Sequence, residues 1–163
     1  MKKLKGTKDL SKRIQKHIKK ITGIKVNIDC GTYFCWCHNS NTLYFIPWAE
    51  PDIDNLWIEW INKNFDCNLI PYHGYFISFL HELGHKMTLD NCSEYEKLKA
   101  EHLQEKEDEN FKNLIPYWNC YREYIATEWA VNFILNHPHK FNMFMEEISK
   151  AVRHYYKINK IRY

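Results

Sequence analysis

The chain opens with apolar residues at helical spacing. They recur every three or four positions, at Leu10, Ile14, Ile18 and Ile21. Gly23 follows at the position where a left-handed C-terminal cap is common. The pattern predicts a helix over about 9–21 that docks one apolar face on the body of the protein.

Strand-like segments follow this helix. Residues 24–29, 32–38 and 42–48 are rich in β-branched and aromatic side chains. The last two flank the turn-forming sequence Asn39-Ser40-Asn41, which predicts an antiparallel hairpin.

The rest of the chain has mainly helical periodicity. Apolar spacing predicts helices over about 52–65, 72–89, 116–136 and 140–157, and the strongly charged residues 94–109 are expected to form an exposed helix or an excursion. Pro71 suits a first helical turn, and Ser93 with Glu96 forms a capping-box pattern. We therefore predict one α+β domain over 1–163, with a small antiparallel sheet packed against a mainly helical body. Residues 1–8 are expected to form a flexible basic arm.

Composition and charge limit the partners. Apolar residues make up 45% of the chain and aromatic residues 16%, which is typical of a folded globular protein. Residues 1–20 hold nine Lys and Arg against one Asp. We interpret them as a solvated helix and arm, in preference to a site for nucleic acid or an acidic partner. No targeting or membrane-spanning segment is evident, so we expect a cytoplasmic protein with reduced cysteines.

The sequence HELGH at residues 81–85 is the candidate chemical motif. His81 and His85 lie one helical turn apart, so both imidazoles can share one tetrahedral Zn²⁺ ion. Glu82 lies beside them and can act as a general base without ligating. Chance would supply about 0.04 such matches in a chain of this composition. Gly84 costs about 1 kcal/mol in a helix relative to alanine, which indicates a close neighbour.

A catalytic zinc site needs a third protein ligand and an open position. The residue six positions past the second histidine is Asn91, so the pattern with a third histidine fails. We favour Glu123, because small residues on its helix face would allow a close approach to Gly84. Glu128 remains the alternative.

The residues from His81 onwards resemble the ImmA/IrrE-type metallopeptidases. HELGH is followed by EYIATEWAVNFIL, which is similar to the family pattern E-x-x-A-N-x-F-A-x-x-L-L-x-P. Glu123, Ala126 and Ala130 match that pattern. Thr127 replaces the usual Asn or Asp, and the proline arrives two residues late, at Pro138.

The resemblance implies a zincin-like fold with an active-site helix, in which His81, His85 and Glu123 bind Zn²⁺ and Glu82 is the catalytic base. It also implies a cytoplasmic endopeptidase that cleaves a specific protein, such as a repressor or regulator of a phage or mobile element. The expected partner is a protein or peptide substrate, not nucleic acid or membrane. The alternative is a zinc-stapled module that binds a regulator or host protein without cleaving it.

Two sets of residues stay without an assigned role. A donor to the oxyanion is expected among five candidates, between which the sequence does not choose. These are Tyr121, Tyr124, His137, His139 and His154. Cys30, Cys35 and Cys37 lack the two-residue spacing of structural zinc sites, and we interpret them as reduced cysteines, with a second metal or redox role as the alternative.

Overall fold

The computed structural model of the chain describes residues 6–47, 55–108 and 114–161. These residues are mainly helical, with one small sheet, in agreement with the predicted α+β class. The elements are α1 (Thr7–Thr22), β1 (Asn27–Cys30), β2 (Cys35–Cys37), β3 (Thr42–Phe45), α2 (Asn55–Phe65), α3 (Gly74–Thr88), α4 (Glu94–Asp108), α5 (Ile115–Trp118), α6 (Tyr121–Asn136) and α7 (Pro138–Asn159).

The chain divides into two compact units. The first contains Met1–Ala49 and Ile134–Tyr163, and the second contains Glu50–Phe133, so the boundary falls within α6. The assignment of 1–163 to one domain stays a prediction. Residues 1–5 of the predicted flexible arm lie outside the described residues, whereas Thr7 and Lys8 are the first residues of α1.

The first unit is built around helix α1. Its apolar positions Leu10, Ile14, Ile18 and Ile21 are all buried, and the helix packs against β1 and α7. Burying a large aliphatic side chain contributes about 1.5–3 kcal/mol, which explains why this face docks. Gly23 ends the helix with φ 76° and donates its backbone N–H to the carbonyl of Lys19, so the predicted glycine cap is confirmed.

The sheet of this unit is mixed, so the prediction of an antiparallel sheet is wrong. The strand order is β1-β3-β2. The hairpin of β2 and β3 is antiparallel as predicted, but β1 pairs with β3 in parallel, with Asn27 opposite Thr42. The reason is the link over residues 31–34, which places β2 on the far side of β3. Strand β3 then fills the gap of about 10 Å between two antiparallel strands, and must run parallel to one of them.

The second unit contains α2 to α5 and most of α6. A 3-10 turn over Pro71–His73 leads into α3, which extends over most of the predicted helix 72–89. Helix α4 begins at the predicted capping box, where Glu96 Oε2 accepts from the Ser93 backbone N–H at 2.7 Å and the Glu96 N–H donates to Ser93 Oγ at 3.2 Å.

The predicted helix over 116–136 is interrupted. Helix α5 ends at Trp118, and α6 begins at Tyr121, so the two form separate helices joined by a turn at Asn119 and Cys120. The backbone N–H of Cys120 closes this turn on the carbonyl of Tyr117 at 3.0 Å. None of the helices in the described ranges combines the length and apolar character that a bilayer span requires.

Candidate metal site

Helices α3 and α6 bring three ligand-type atoms together. His81 Nε2 and His85 Nε2 lie 3.1 Å apart, and Glu123 Oε2 lies 3.2 Å from each of them. The Glu123 side chain is 2% exposed, and those of His81 and His85 are 11% and 15% exposed. This buried group of two imidazoles and one carboxylate could hold a metal ion.

A glycine allows the two helices to approach each other. A Cβ atom on Gly84 would lie 2.9 Å from the backbone carbon of Ala126, 3.0 Å from its Cα, and closer still to its carbonyl oxygen. Ala126 and Ala130 are themselves fully buried. The close neighbour predicted for Gly84 is therefore confirmed, and it is the helix that carries Glu123.

The second glutamate of α6 points elsewhere. Glu128 is exposed, whereas Glu123 is among the most buried charged residues described. The two residues lie five positions apart, about 140° around the helix, so only one of them can face α3. The structure places Glu123 beside the histidines.

Thr127 fixes the orientation of the His81 ring. Its hydroxyl donates to the backbone carbonyl of Glu123 at 2.9 Å, and its oxygen lies 3.0 Å from His81 Nδ1. Because the hydroxyl proton is already used, Nδ1–H of His81 is the donor in that second contact. In the neutral ring this leaves a lone pair on Nε2, the atom that faces Glu123 and His85.

Glu123 is held on its other side by Arg122. The guanidinium Nε donates to Glu123 Oε1 at 3.0 Å, so that Oε2 alone faces the histidines. Burial opposes ionisation of Glu123, but His85 and His81 outweigh it and hold the pKa of Glu123 well below its usual range. Burial also disfavours the charged Arg122, yet the neighbouring Glu123 raises the pKa of the guanidinium. Glu123 is therefore a buried, paired carboxylate.

Tyr117 also contacts this cluster, although the predicted helix over 116–136 did not place it there. Burial raises the pKa of Tyr117 far above its usual value, and the charge of Glu123, its hydrogen bond to Glu123 and the charge of Glu82 raise it further. A continuous helix over 116–136 would have placed Tyr117 about 240° away from Glu123. The break after α5 is what turns it towards the cluster, and Pro116, in the first turn of α5, was the only local signal of a new helix start.

The catalytic candidate Glu82 follows His81 on α3 and is 8% exposed. Trp57 of α2 closes one side of the site, with its ring edge-on to His81 at a centroid distance of 5.5 Å. Trp57 is also 8% exposed, so this side of the site is apolar and buried. The site therefore combines a buried polar centre with an apolar surround, as binding sites for small charged groups do.

Two of the five candidates for the oxyanion donor, Tyr121 and Tyr124, belong to the same unit as the cluster. Tyr121 is 47% exposed, and Tyr124 packs in an aromatic cluster with Trp60 and Phe65. His137, His139 and His154 are exposed residues of the other unit. The hydroxyl that the structure does bring to the cluster belongs to Tyr117.

The cysteines form no comparable group in the described part of the chain. All six are thiols without a disulfide. Burial raises the pKa of Cys30 to about 11, and its Sγ lies 3.8 Å from Ser11 Oγ. Hydrogen bonds from Ser40 lower the pKa of Cys37. Across the described ranges, His81, His85 and Glu123 are the only set of three or more such side chains close enough to share a metal.

Comparison of the chain with protein-family models, with curated proteins and with solved structures found no match.

Proposed function

We propose that this protein is a cytoplasmic zinc-dependent endopeptidase that hydrolyses a peptide bond in a specific protein. One observation carries the proposal. When the ring is neutral, the Thr127 contact leaves a lone pair on His81 Nε2, and that atom faces a buried carboxylate oxygen 3.2 Å away, with His85 Nε2 at 3.1 Å. Lone pairs that converge in a buried site repel each other unless a cation, either a metal ion or added protons, lies between them.

The dimensions of the group favour zinc. Tetrahedral zinc binds imidazole nitrogen and carboxylate oxygen at about 2.0–2.2 Å, so two ligand atoms lie about 3.3–3.5 Å apart. The three separations here are 3.1, 3.2 and 3.2 Å. They are about 0.1–0.4 Å shorter than in a zinc site, so the side chains would need to move apart only slightly to hold the ion. Two imidazoles also argue against calcium and magnesium, which prefer oxygen ligands. His81, His85 and Glu123 would thus occupy three corners of a tetrahedron, and catalytic zinc sites use three protein ligands.

A zinc ion in this site would supply a Lewis acid that polarises a peptide carbonyl and makes a water molecule easier to deprotonate. Glu82 is the residue that would take that proton, because it neighbours His81 on α3 and is buried beside the cluster. It would then pass the proton to the leaving amine. Trp57 would shield the His81 side from solvent, and Arg122 and Tyr117 would hold Glu123 in place.

The resemblance of residues 81–85 and 123–134 to the ImmA/IrrE-type metallopeptidases supports the zincin-like assignment and suggests the substrate class. A repressor or regulator of a phage or mobile element is the substrate to try first. The peptidase would cut it at one or a few sites.

The test compares Glu82→Gln with wild type and with Glu128→Gln as a matched control on α6. Each chain is co-expressed with candidate repressors from the same genome, and cleavage is followed by mass spectrometry. Glu82→Gln should keep its zinc and lose about 10²–10⁴-fold in cleavage rate. Glu128→Gln should cleave normally, because Glu128 is exposed.

Two results would contradict the proposal. Equal cleavage by Glu82→Gln would exclude Glu82 as the base. A partner that binds wild type and Glu82→Gln equally, and is never cleaved, would make the protein a zinc-stapled binding module.

A further inference from the structure

The two units of the chain carry opposite charge. Residues 1–49 and 134–163 contain 16 Lys and Arg against four Asp and Glu, a formal net charge of +12. Residues 50–133 contain seven Lys and Arg against 16 Asp and Glu, a formal net charge of −9. The overall charge of +3 therefore conceals a strongly basic unit that does not contain the candidate metal site.

The basic charge is concentrated on the outer side of α1. Every exposed residue of this helix is charged, and six of the seven are cationic. These six residues form what we call the basic face: Lys8, Lys12, Arg13, Lys16, Lys19 and Lys20. Asp9 is the one acidic residue of α1, and it pairs with Arg13 at 2.9 Å. Among the described residues, the five lysines of α1 have no ion-pair partner.

The helix packed against α1 does not neutralise this face. Gly6 approaches Ile158, and His17 lies 3.5 Å from Glu147, so α7 runs antiparallel beside α1. The two acidic residues of α7, Glu146 and Glu147, are both engaged by Lys150. Arg153 and Lys157 of α7 are exposed and add further positive charge to the unit.

We propose that the basic face binds the phosphate backbone of double-stranded nucleic acid without sequence specificity. This inference is independent of the proposed peptidase activity. Two observations disfavour three other kinds of partner, and each concerns what the basic face lacks or has already used.

A membrane is disfavoured because the apolar side of α1 is already used. Leu10, Ile14, Ile18 and Ile21 are buried in the core, so the helix has no apolar side left to insert between lipids. A protein partner is disfavoured because interfaces depend on aromatic and aliphatic anchors, and α1 exposes none. Single-stranded nucleic acid is disfavoured for the same reason, because its bases stack on aromatic side chains.

Double-stranded nucleic acid requires only the exposed positive charge that the basic face provides. Its phosphates lie at the surface, and lysines bind them through the release of condensed counterions. Helix α1 is 16 residues long, or about 24 Å, and can lie along several base pairs. The lysines at positions 8, 12 and 16 recur about once per turn, so they lie along one side of the helix.

The test measures binding of the full chain to a fluorescent duplex of about 20 base pairs, by anisotropy over a series of salt concentrations. The variant Lys12→Gln/Lys16→Gln is compared with the control Lys63→Gln/Lys99→Gln. All four lysines are exposed, and both variants lose two charges, but the control lies in the acidic unit. Thermal unfolding of each variant confirms that its fold is intact.

The wild type should bind with an affinity that falls steeply with salt. Loss of two phosphate contacts should reduce the slope of log K against log salt by about 1.8, and weaken binding by up to roughly 60-fold at 0.1 M salt. The control should keep the wild-type slope.

Three outcomes would overturn the proposal. The first is no saturable duplex binding by wild type at low salt. The second is an equal loss in both variants, which would show that net charge matters and the basic face does not. The third is tighter binding to vesicles containing one-third phosphatidylserine than to the duplex, which would assign the face to an anionic membrane surface.

Discussion

The contact between Gly84 and Ala126 allows a sharp test of how the site is built. In Gly84→Ala, the new Cβ would stand 2.9 Å from the Ala126 backbone carbon, whereas ordinary contact begins near 3.4 Å. The neighbour is helix backbone, which cannot rotate away. Helices α3 and α6 must therefore separate by roughly 0.5 Å or more at this point, a shift that is large on the scale of metal–ligand geometry.

That displacement reaches the ligand cluster directly. Glu123 lies one turn before Ala126 on α6, and ligand distances in metal sites are held within about 0.2 Å. We expect zinc affinity to fall about 10–100-fold, or roughly 1.4–2.7 kcal/mol, as when the groups that support ligands are lost. Overpacking destabilises the fold by about 1–3 kcal/mol, whereas alanine is about 1 kcal/mol more favourable than glycine inside a helix. The metal-free chain should therefore lose at most about 2 kcal/mol of stability.

The assay is competition for zinc against a chromophoric chelator, with urea unfolding of the metal-free chain alongside. Gly23→Ala is the matched control. No atom lies within 4 Å of its new Cβ, but its φ of 76° makes alanine strained by about 1–2 kcal/mol. Gly23→Ala should lose stability and keep its zinc affinity. If Gly84→Ala binds zinc as tightly as wild type, or if both variants weaken zinc binding equally, the close approach of α3 and α6 does not determine the zinc affinity of the site.

Three further predictions follow from the same contacts. Glu123→Ala should weaken zinc binding far more than Glu128→Ala in the same competition assay, because Glu123 is buried beside the histidines and Glu128 is exposed; the reverse ranking would remove Glu123 from the site. Arg122→Met should weaken zinc binding about 10–100-fold and Arg122→Lys less, because Arg122 holds Glu123 Oε1; unchanged affinity in Arg122→Met would show that this contact is dispensable. Iodoacetamide at about pH 9 should modify Cys37 before Cys30, since the thiolate is the reactive form. The pKa of Cys37 is lowered while that of Cys30 is raised to about 11, so Cys30 should react only as the pH approaches that value; mass spectrometry showing the opposite order would contradict these shifts.

Local patterns predicted much of this structure. The spacing of Leu10, Ile14, Ile18 and Ile21 located α1, and Gly23 marked its end, because both signals depend only on neighbouring residues. The same holds for the capping box of α4. The parallel pairing of β1 with β3 was not predictable in this way, because it depends on which side of β3 the link over 31–34 places β2.

In the candidate site, too, the features that depend on neighbouring residues were predictable and those that depend on distant contacts were not. The spacing of His81 and His85 and the small residues around Glu123 are local features, and the structure brings these three side chains together. Tyr117 was missed because its position depends on a helix break that apolar periodicity does not reveal. The role of Thr127 was missed because it rests on a contact between residues 46 positions apart in sequence. The charge difference between the units depends on the packing of α7 beside α1, which joins the cations of the C-terminal helix to the basic N-terminal segment.

The central claim is that His81, His85 and Glu123 bind one zinc ion through nitrogen and oxygen. X-ray absorption spectroscopy of the zinc-loaded chain tests it most directly, because zinc–sulfur bonds are near 2.3 Å and zinc–nitrogen or zinc–oxygen bonds near 2.0–2.2 Å. We predict one zinc per chain and a single shell of nitrogen and oxygen ligands at about 2.0–2.1 Å, and His81→Ala should lose the zinc or show a reduced imidazole signal, because His85 is then the one imidazole left. A sulfur shell near 2.3 Å would assign the metal to the cysteines, and failure to retain stoichiometric zinc would contradict the account.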